Sequence, residues 1–180
     1  MRNQSQSLAT GRPSYDDGRM SQHDAPAQST ARSTTHHHGI PEDLFVCIDH
    51  VGVAVPDLDE AIAFYQGTFG MRLQHEEVNE EQGVREAMIA VGDSGSCIQL
   101  LAPASEDSTI AKFLDRSGPG LQQLAYRVTD VERVSAVLRE RGVRLLYDEP
   151  RRGTAGSRIN FVHPKDAGGV LVELVEPAEG

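Results

Sequence analysis

Apolar and polar positions run through Ile48-Asp49-His50-Val51-Gly52-Val53-Ala54-Val55 until Pro56-Asp57 stops them. A polar pair passing into a β-branched run closed by a breaker predicts a half-buried strand, with His50 as its one titratable ring. A stretch of the same shape, Leu121-Gln122-Gln123-Leu124-Ala125-Tyr126-Arg127-Val128, follows 73 residues on and puts Gln123 where His50 stands. Seven residues beyond each come Asp57 and Asp130, suited to cap a helix.

The first of these helices carries Leu58, Ile62 and Tyr65 as one apolar stripe and has Gly70 as its stop. Strands are predicted over 71–77, 84–91 and around Gln99, with a loop at 78–83 and a turn at 92–96. A linker over 105–120 holds a short helix around 110–114 and ends at Gly118-Pro119-Gly120. After it, Val134, Val137 and Leu138 mark a helix stopped by Gly142, and strands are predicted over 144–147, 158–162 and 170–175.

The pattern is a duplication. Gly70-Met71-Arg72-Leu73 matches Gly142-Val143-Arg144-Leu145, and Ile98-Gln99-Leu100-Leu101-Ala102-Pro103 matches Val172-Glu173-Leu174-Val175-Glu176-Pro177. Each half reads strand, helix, strand, strand, strand. The fold class is therefore α+β, two βαβββ modules at about 44–104 and 121–177 in a pseudo-twofold arrangement. His50 and Gln99 in one half, Gln123 and Glu173 in the other, occupy equivalent places, so the four side chains can converge on a cation-sized site.

Composition divides the chain. Residues 1–41 are polar, aperiodic and almost free of large apolar side chains, and are expected to stay disordered, with residues 42–180 forming the domain. His36-His37-His38 in that tail is read as having no function. No apolar run approaches the roughly 20 residues of a membrane span, which points to a cytoplasmic protein. Cys47 and Cys97 both fall in predicted strands and read as buried thiols rather than a disulfide. The formal net charge of −10 argues against nucleic acid, and the tail's four arginines and three aspartates leave the domain near −11. An anionic ligand would need a local cluster of cations, for which Arg151-Arg152-Gly153 followed by Arg158 and Lys165 is the candidate stretch, with Arg151, Arg152 and Lys165 the candidates for phosphate groups.

One imidazole, two amide oxygens and one carboxylate form a hard, oxygen-rich donor set. It suits a divalent ion such as Co²⁺, Mn²⁺, Ni²⁺ or Mg²⁺ over a thiolate-type zinc site, with Zn²⁺ as a further candidate.

The paired modules resemble the vicinal oxygen chelate (glyoxalase/dioxygenase-like) superfamily. Within it, Glu80-Glu81-Gln82-Gly83-Val84-Arg85-Glu86, Arg158-Ile159-Asn160-Phe161 and His163-Pro164-Lys165 with Gly168-Gly169-Val170-Leu171-Val172-Glu173-Leu174 are similar to the methylmalonyl-CoA epimerase family. The resemblance implies metal ligands at His50, Gln99 and Glu173, and a fourth at Gln123, where the family commonly has the second His of a Leu-His-His. It implies acid/base roles for Glu86 and Glu173, interconversion of (2R)- and (2S)-methylmalonyl-CoA through an enolate, and a homodimer. Two alternatives remain on the same scaffold: a glyoxalase-like metal-dependent lyase or isomerase, and a metal-free small-molecule-binding protein.

Overall fold

Asp57 and Asp130 do cap the two helices that the repeat predicts. Their carboxylates accept from the backbone N–H of Glu60 at 2.9 Å and of Arg133 at 2.8 Å, satisfying donors that a helix start leaves free. The helices are α1, Leu58–Phe69, and α3, Val131–Glu140. Gly70, at φ 66°, supplies the left-handed residue that ends α1. The computed structural model describes residues 40–178. The tail's composition and its three histidines fall outside these, except for Ile40 and Pro41. Ile40 packs against a core cluster and Pro41 accepts a backbone bond from Leu44, so packing reaches slightly N-terminal of residue 42.

The strands are β1 (Phe45–Ala54), β2 (Arg72–Asn79), β3 (Val84–Ala90), β4 (Cys97–Pro103), β5 (Gly120–Val128), β6 (Arg151–Arg152), β7 (Arg158–Val162) and β8 (Val172–Glu176). They form a mixed eight-stranded sheet in the order β2-β3-β4-β1-β5-β8-β7-β6. Each half repeats one pattern, with β1 parallel to β4 and β5 parallel to β8, and β1 and β5 meet antiparallel at the junction. Between the halves α2, Thr109–Ser117, is capped by Ser108.

Because strand side chains alternate, the sheet sorts them onto two faces. Val55, Ala87, Ile89, Leu100 and Ala102 pack under Leu58 and Ile62 of α1, while Val128, Val162 and Leu174 pack under Val131, Val134 and Leu138 of α3. Burying such aliphatic side chains is worth roughly 1.5–3 kcal/mol each, which fixes register because a one-residue slip would expose them all. The opposite face therefore receives the remaining positions: His50, Gly52, Glu86, Gln99, Gln123, Ala125 and Glu173. Ile110 of α2 closes part of that face over Ala54, Val84 and Leu101.

Two expectations fail. The strand predicted over 144–147 is no strand but one isolated bridge, Leu145 to Val162. Asn160, fully buried, takes the place of its ladder partner: its Oδ1 accepts from Tyr147 N–H at 3.3 Å and its Nδ2 donates to Tyr147 O at 3.1 Å. The cysteines are free, as expected, but not buried: Cys47 is exposed and Cys97 half-buried. Cys47 lies where β1 is bulged and flanked by exposed Val46 and Ile48, so the start of this strand lies outside the core.

Candidate active site

Register brings the four repeat-equivalent residues together. His50 pairs with Ala125, which pairs with Glu173; Gly52 pairs with Gln123 on one side and Gln99 on the other. All four polar side chains are buried, with exposures of 3–8%. Their terminal atoms share one point. Gln123 Nε2 donates to Gln99 Oε1 at 3.1 Å and to Glu173 Oε2, and lies 3.5 Å from His50 Nε2, which is itself 3.1 Å from Glu173 Oε2.

The groups behind these atoms orient them. His50 Nδ1 faces Asp49 Oδ1 at 3.0 Å, and Asp49 Oδ2 accepts from Arg127 Nε at 2.7 Å, which leaves Nε2 turned to the cluster. Gln99 Nε2 donates to Glu86 Oε2 at 3.0 Å and to Thr154 Oγ1 at 2.7 Å, so its Oε1 points inward. An amide oxygen and a carboxylate oxygen thus aim lone pairs at a place held by the Gln123 amide, His50 Nε2 would add a third once the ring gives up its proton, and the oxygen of Gln123 could face the same way after a half-turn. That donor set fits a cation. Among the described residues no group of three or more His, Cys, Asp or Glu is placed to hold a metal, because two of these donors are amides.

Burial would lower the pKa of His50, but hydrogen bonds to Asp49 and Glu173, with their charges, carry it up to about 9. A protonated ring and a metal ion are alternative positive charges here, so metal uptake would release a proton. Burial pushes Glu86 up to about 7; a hydrogen bond with Thr154 opposes this, and the charges of Glu77 and Glu173 add to it. Among the described residues neither Glu86 Oε1 nor Gln122 Oε1, both buried, has a hydrogen-bond partner.

Glu86 and Glu173 both line a cavity of about 100 Å³ whose walls include Leu101, Ile110, Tyr147 and Phe161. Thr154 also lines it, from a 3-10 turn at Thr154–Gly156 that reaches from the second half onto the first; Ala155 there takes a left-handed φ of 53° and its N–H donates to Glu77 at 3.4 Å. Arg151, Arg152 and Lys165 are exposed and do not touch the cluster. Arg151 stacks on the Tyr147 ring at 4.2 Å, near the rim, and pairs with Glu81 at 3.4 Å. The sequence reading gave no role to Asp49, Arg127 or Thr154. The Asp49-His50 adjacency was visible in the chain, but Thr154, 55 residues from Gln99, left no signal there.

The model of the glyoxalase/bleomycin resistance protein/dioxygenase superfamily matches residues 49–161. The methylmalonyl-CoA epimerase of Mycobacterium tuberculosis is 59% identical, with a TM-score of 0.75 over 79% of this chain and 95% of that one. A Glu-to-Gln variant of the Streptomyces coelicolor methylmalonyl-CoA epimerase, solved in complex with 2-nitronate-propionyl-CoA, is 50% identical, with a TM-score of 0.73 over 75% of this chain and 99% of that one. The human mitochondrial methylmalonyl-CoA epimerase is 35% identical over 128 residues, 71% of this chain and 72% of that protein. With the matched model and these relatives agreeing, the chain belongs to the glyoxalase/bleomycin resistance protein/dioxygenase superfamily, in its methylmalonyl-CoA epimerase branch.

Proposed function

We propose that this protein interconverts (2R)- and (2S)-methylmalonyl-CoA by moving the α-proton. The observation that carries the reading is the placement of Glu86 and Glu173 on one small cavity, at the two ends of the Gln99–Gln123 amide pair. Inverting a carbon through a planar enolate needs an acceptor on one face and a donor on the other, and two carboxyl groups supply both. A metal-free binding module would have no use for two buried carboxylates at this point.

His50, Gln99, Gln123 and Glu173 would hold the divalent ion, with Co²⁺ favoured. When bound, such an ion supplies Lewis-acid stabilisation of negative charge on a carbonyl oxygen. Glu173 serves as ligand and base, while Glu86 handles the proton on the other face. Asp49, fixed by Arg127, holds the His50 ring in place, and Thr154 holds the Gln99 amide. The apolar walls exclude water from the reacting carbon. Arg151, Arg152 and Lys165 are assigned to the phosphates of CoA; the stacking of Arg151 on Tyr147, a residue of the cavity wall, supports this for Arg151.

Among the described residues no helix is long and apolar enough to cross a membrane. Two unpaired cysteines support a cytoplasmic protein, and the exposed Val46 and Ile48 of β1 support a homodimer. The test is to supply each epimer separately to Co²⁺-loaded protein in deuterated solvent. Epimerisation with deuterium at the α-carbon is expected from both. Recovery of both epimers unchanged and unlabelled would end the reading.

A further inference from the structure

Gly52 lies in β1 between the two glutamines of the cluster, in register with Gln99 on one side and Gln123 on the other. A Cβ built on it would stand 2.5 Å from Gln123 Cγ, 3.1 Å from Cδ and 3.4 Å from Nε2, and these are its three nearest neighbours. The first distance is shorter than real carbon contacts allow, and Cγ is the middle of the side chain, so relief would require the whole Gln123 side chain to swing. Gly52 is not among the residues with positive φ, so its backbone would accept an alanine. What excludes a side chain here is Gln123 alone. The equivalent position in the second half is Ala125, which does carry a methyl group, beside His50 and Glu173.

We infer that Gly52 is a positioning residue: the missing side chain is what lets Gln123 fold across β1 and bring its amide into the cluster. The inference rests on the metal reading above. Gly52→Ala should bring the first carbon of residue 52 into the space of Gln123 Cγ and turn the amide away, converting a four-donor site to three. The backbone and core should be unaffected, since replacing Gly by Ala at a compatible φ slightly favours the folded state.

The experiment compares wild type, Gly52→Ala, Gln123→Ala and the double variant by calorimetric titration with Co²⁺, by turnover and by thermal melting. Gly52→Ala should weaken Co²⁺ binding at least about tenfold, the scale seen when support for a metal ligand is lost. Its melting temperature should match or exceed that of wild type. In the double variant the added methyl should cost nothing beyond Gln123→Ala, in affinity and in turnover alike. Wild-type affinity and turnover in Gly52→Ala would overturn the inference, as would a double variant that loses both contributions in full. Loss of the fold in Gly52→Ala would overturn it too, because the clash would then lie with the core. Failure of wild type to take up Co²⁺ would instead sink the metal reading, and the same four-way comparison of turnover would still decide the role of Gly52.

Discussion

The two halves of the sheet share a topology and use it differently. In the first, β2, β3 and β4 are 8, 7 and 7 residues long and paired along their lengths but for one bulge at Gln74 of β2. In the second, β6 has only 2 residues, and the segment before it keeps two backbone bonds to β7 and its end, Leu146 N–H to Phe161 O and His163 N–H to Arg144 O, before Tyr147 turns to the Asn160 side chain. The regular half forms a fixed wall carrying Glu86 and Gln99. The irregular half spends its shortened strands on a turn, and that turn puts Thr154 against Gln99 across the junction. Neither half holds the whole proposed set of groups: His50, Gln99 and Glu86 come from one, Gln123 and Glu173 from the other. The duplication supplies matched positions, and the departures from it supply the chemistry.

The sharpest way to break this comparison is to remove the two carboxylates separately. Glu173→Ala takes away a cluster donor, so Co²⁺ and turnover should be lost together, as read by elemental analysis and epimerisation. Glu86→Gln should keep the ion and the fold, because Glu86 meets the cluster only through Gln99. Its turnover should fall at least the roughly 10²-fold typical of a general acid/base group. With a base still on the other face, it should exchange the α-proton of one epimer with solvent deuterium and not that of the other. Near-normal epimerisation would remove Glu86 from the mechanism.

The residues before the two equivalent donors give the next contrast. Asp49 precedes His50 and bridges it to Arg127, whereas Gln122 precedes Gln123 and its Oε1 has no partner among the described residues. Asp49→Ala should therefore cost roughly 10–100-fold in Co²⁺ affinity, as loss of a partner behind a ligating His does. Gln122→Ala should leave affinity unchanged. Equal effects in calorimetric titration would show that both neighbours act only through packing.

What was legible in the chain follows from the same contrast. His50, Gln99, Gln123 and Glu173 were readable because the repeat marks them twice, and strand alternation then forces them onto the face away from α1 and α3. The caps at Asp57 and Asp130 were readable because a cap is a local bond. Thr154 was not, because a hydroxyl in a Gly-rich turn is common and only its contact with Gln99 gives it meaning. The strand expected over 144–147 failed because Asn160 and Tyr147 are joined by a side chain, which apolar periodicity does not register. Cys47 misled because strand position says nothing about how far a strand projects past its core.

Asn160 offers a third test, on stability rather than chemistry. On the helix-facing side of β3, Ala87 performs no such bridging and is simply packed. Asn160→Ala would take the Asn160 partner from the half-buried Tyr147 N–H, while Tyr147 C=O keeps its bond from Arg139 Nη2 at 2.8 Å, a loss of roughly 1 kcal/mol. Denaturant melting should show it. An unchanged midpoint would mean that the backbone of residue 147 closes onto β7 once the side chain is gone, restoring the regular strand of the first half.

The smallest effect is expected where the irregular segment begins. Asp166 accepts from Arg144 through the backbone N–H at 2.9 Å, Nε at 2.7 Å and Nη2 at 2.6 Å, pinning residue 144 beside β7, whereas the matching Arg72 makes only a single exposed contact with Asp93. These bonds hold the Asp166 carboxyl well below the ordinary aspartate range. A carboxyl whose pKa is lower in the folded state stabilises the fold above its unfolded value, near ~3.9, and loses that contribution as pH falls through the folded value. Asp166→Asn should therefore be less stable than wild type at neutral pH, with the gap narrowing steadily below about pH 4. Asp93→Asn should leave stability at neutral pH almost unchanged, since one exposed pair contributes little. Melting curves across that range for both variants would decide it, and a gap for Asp166→Asn that stays constant with pH would place the loss in shape rather than charge.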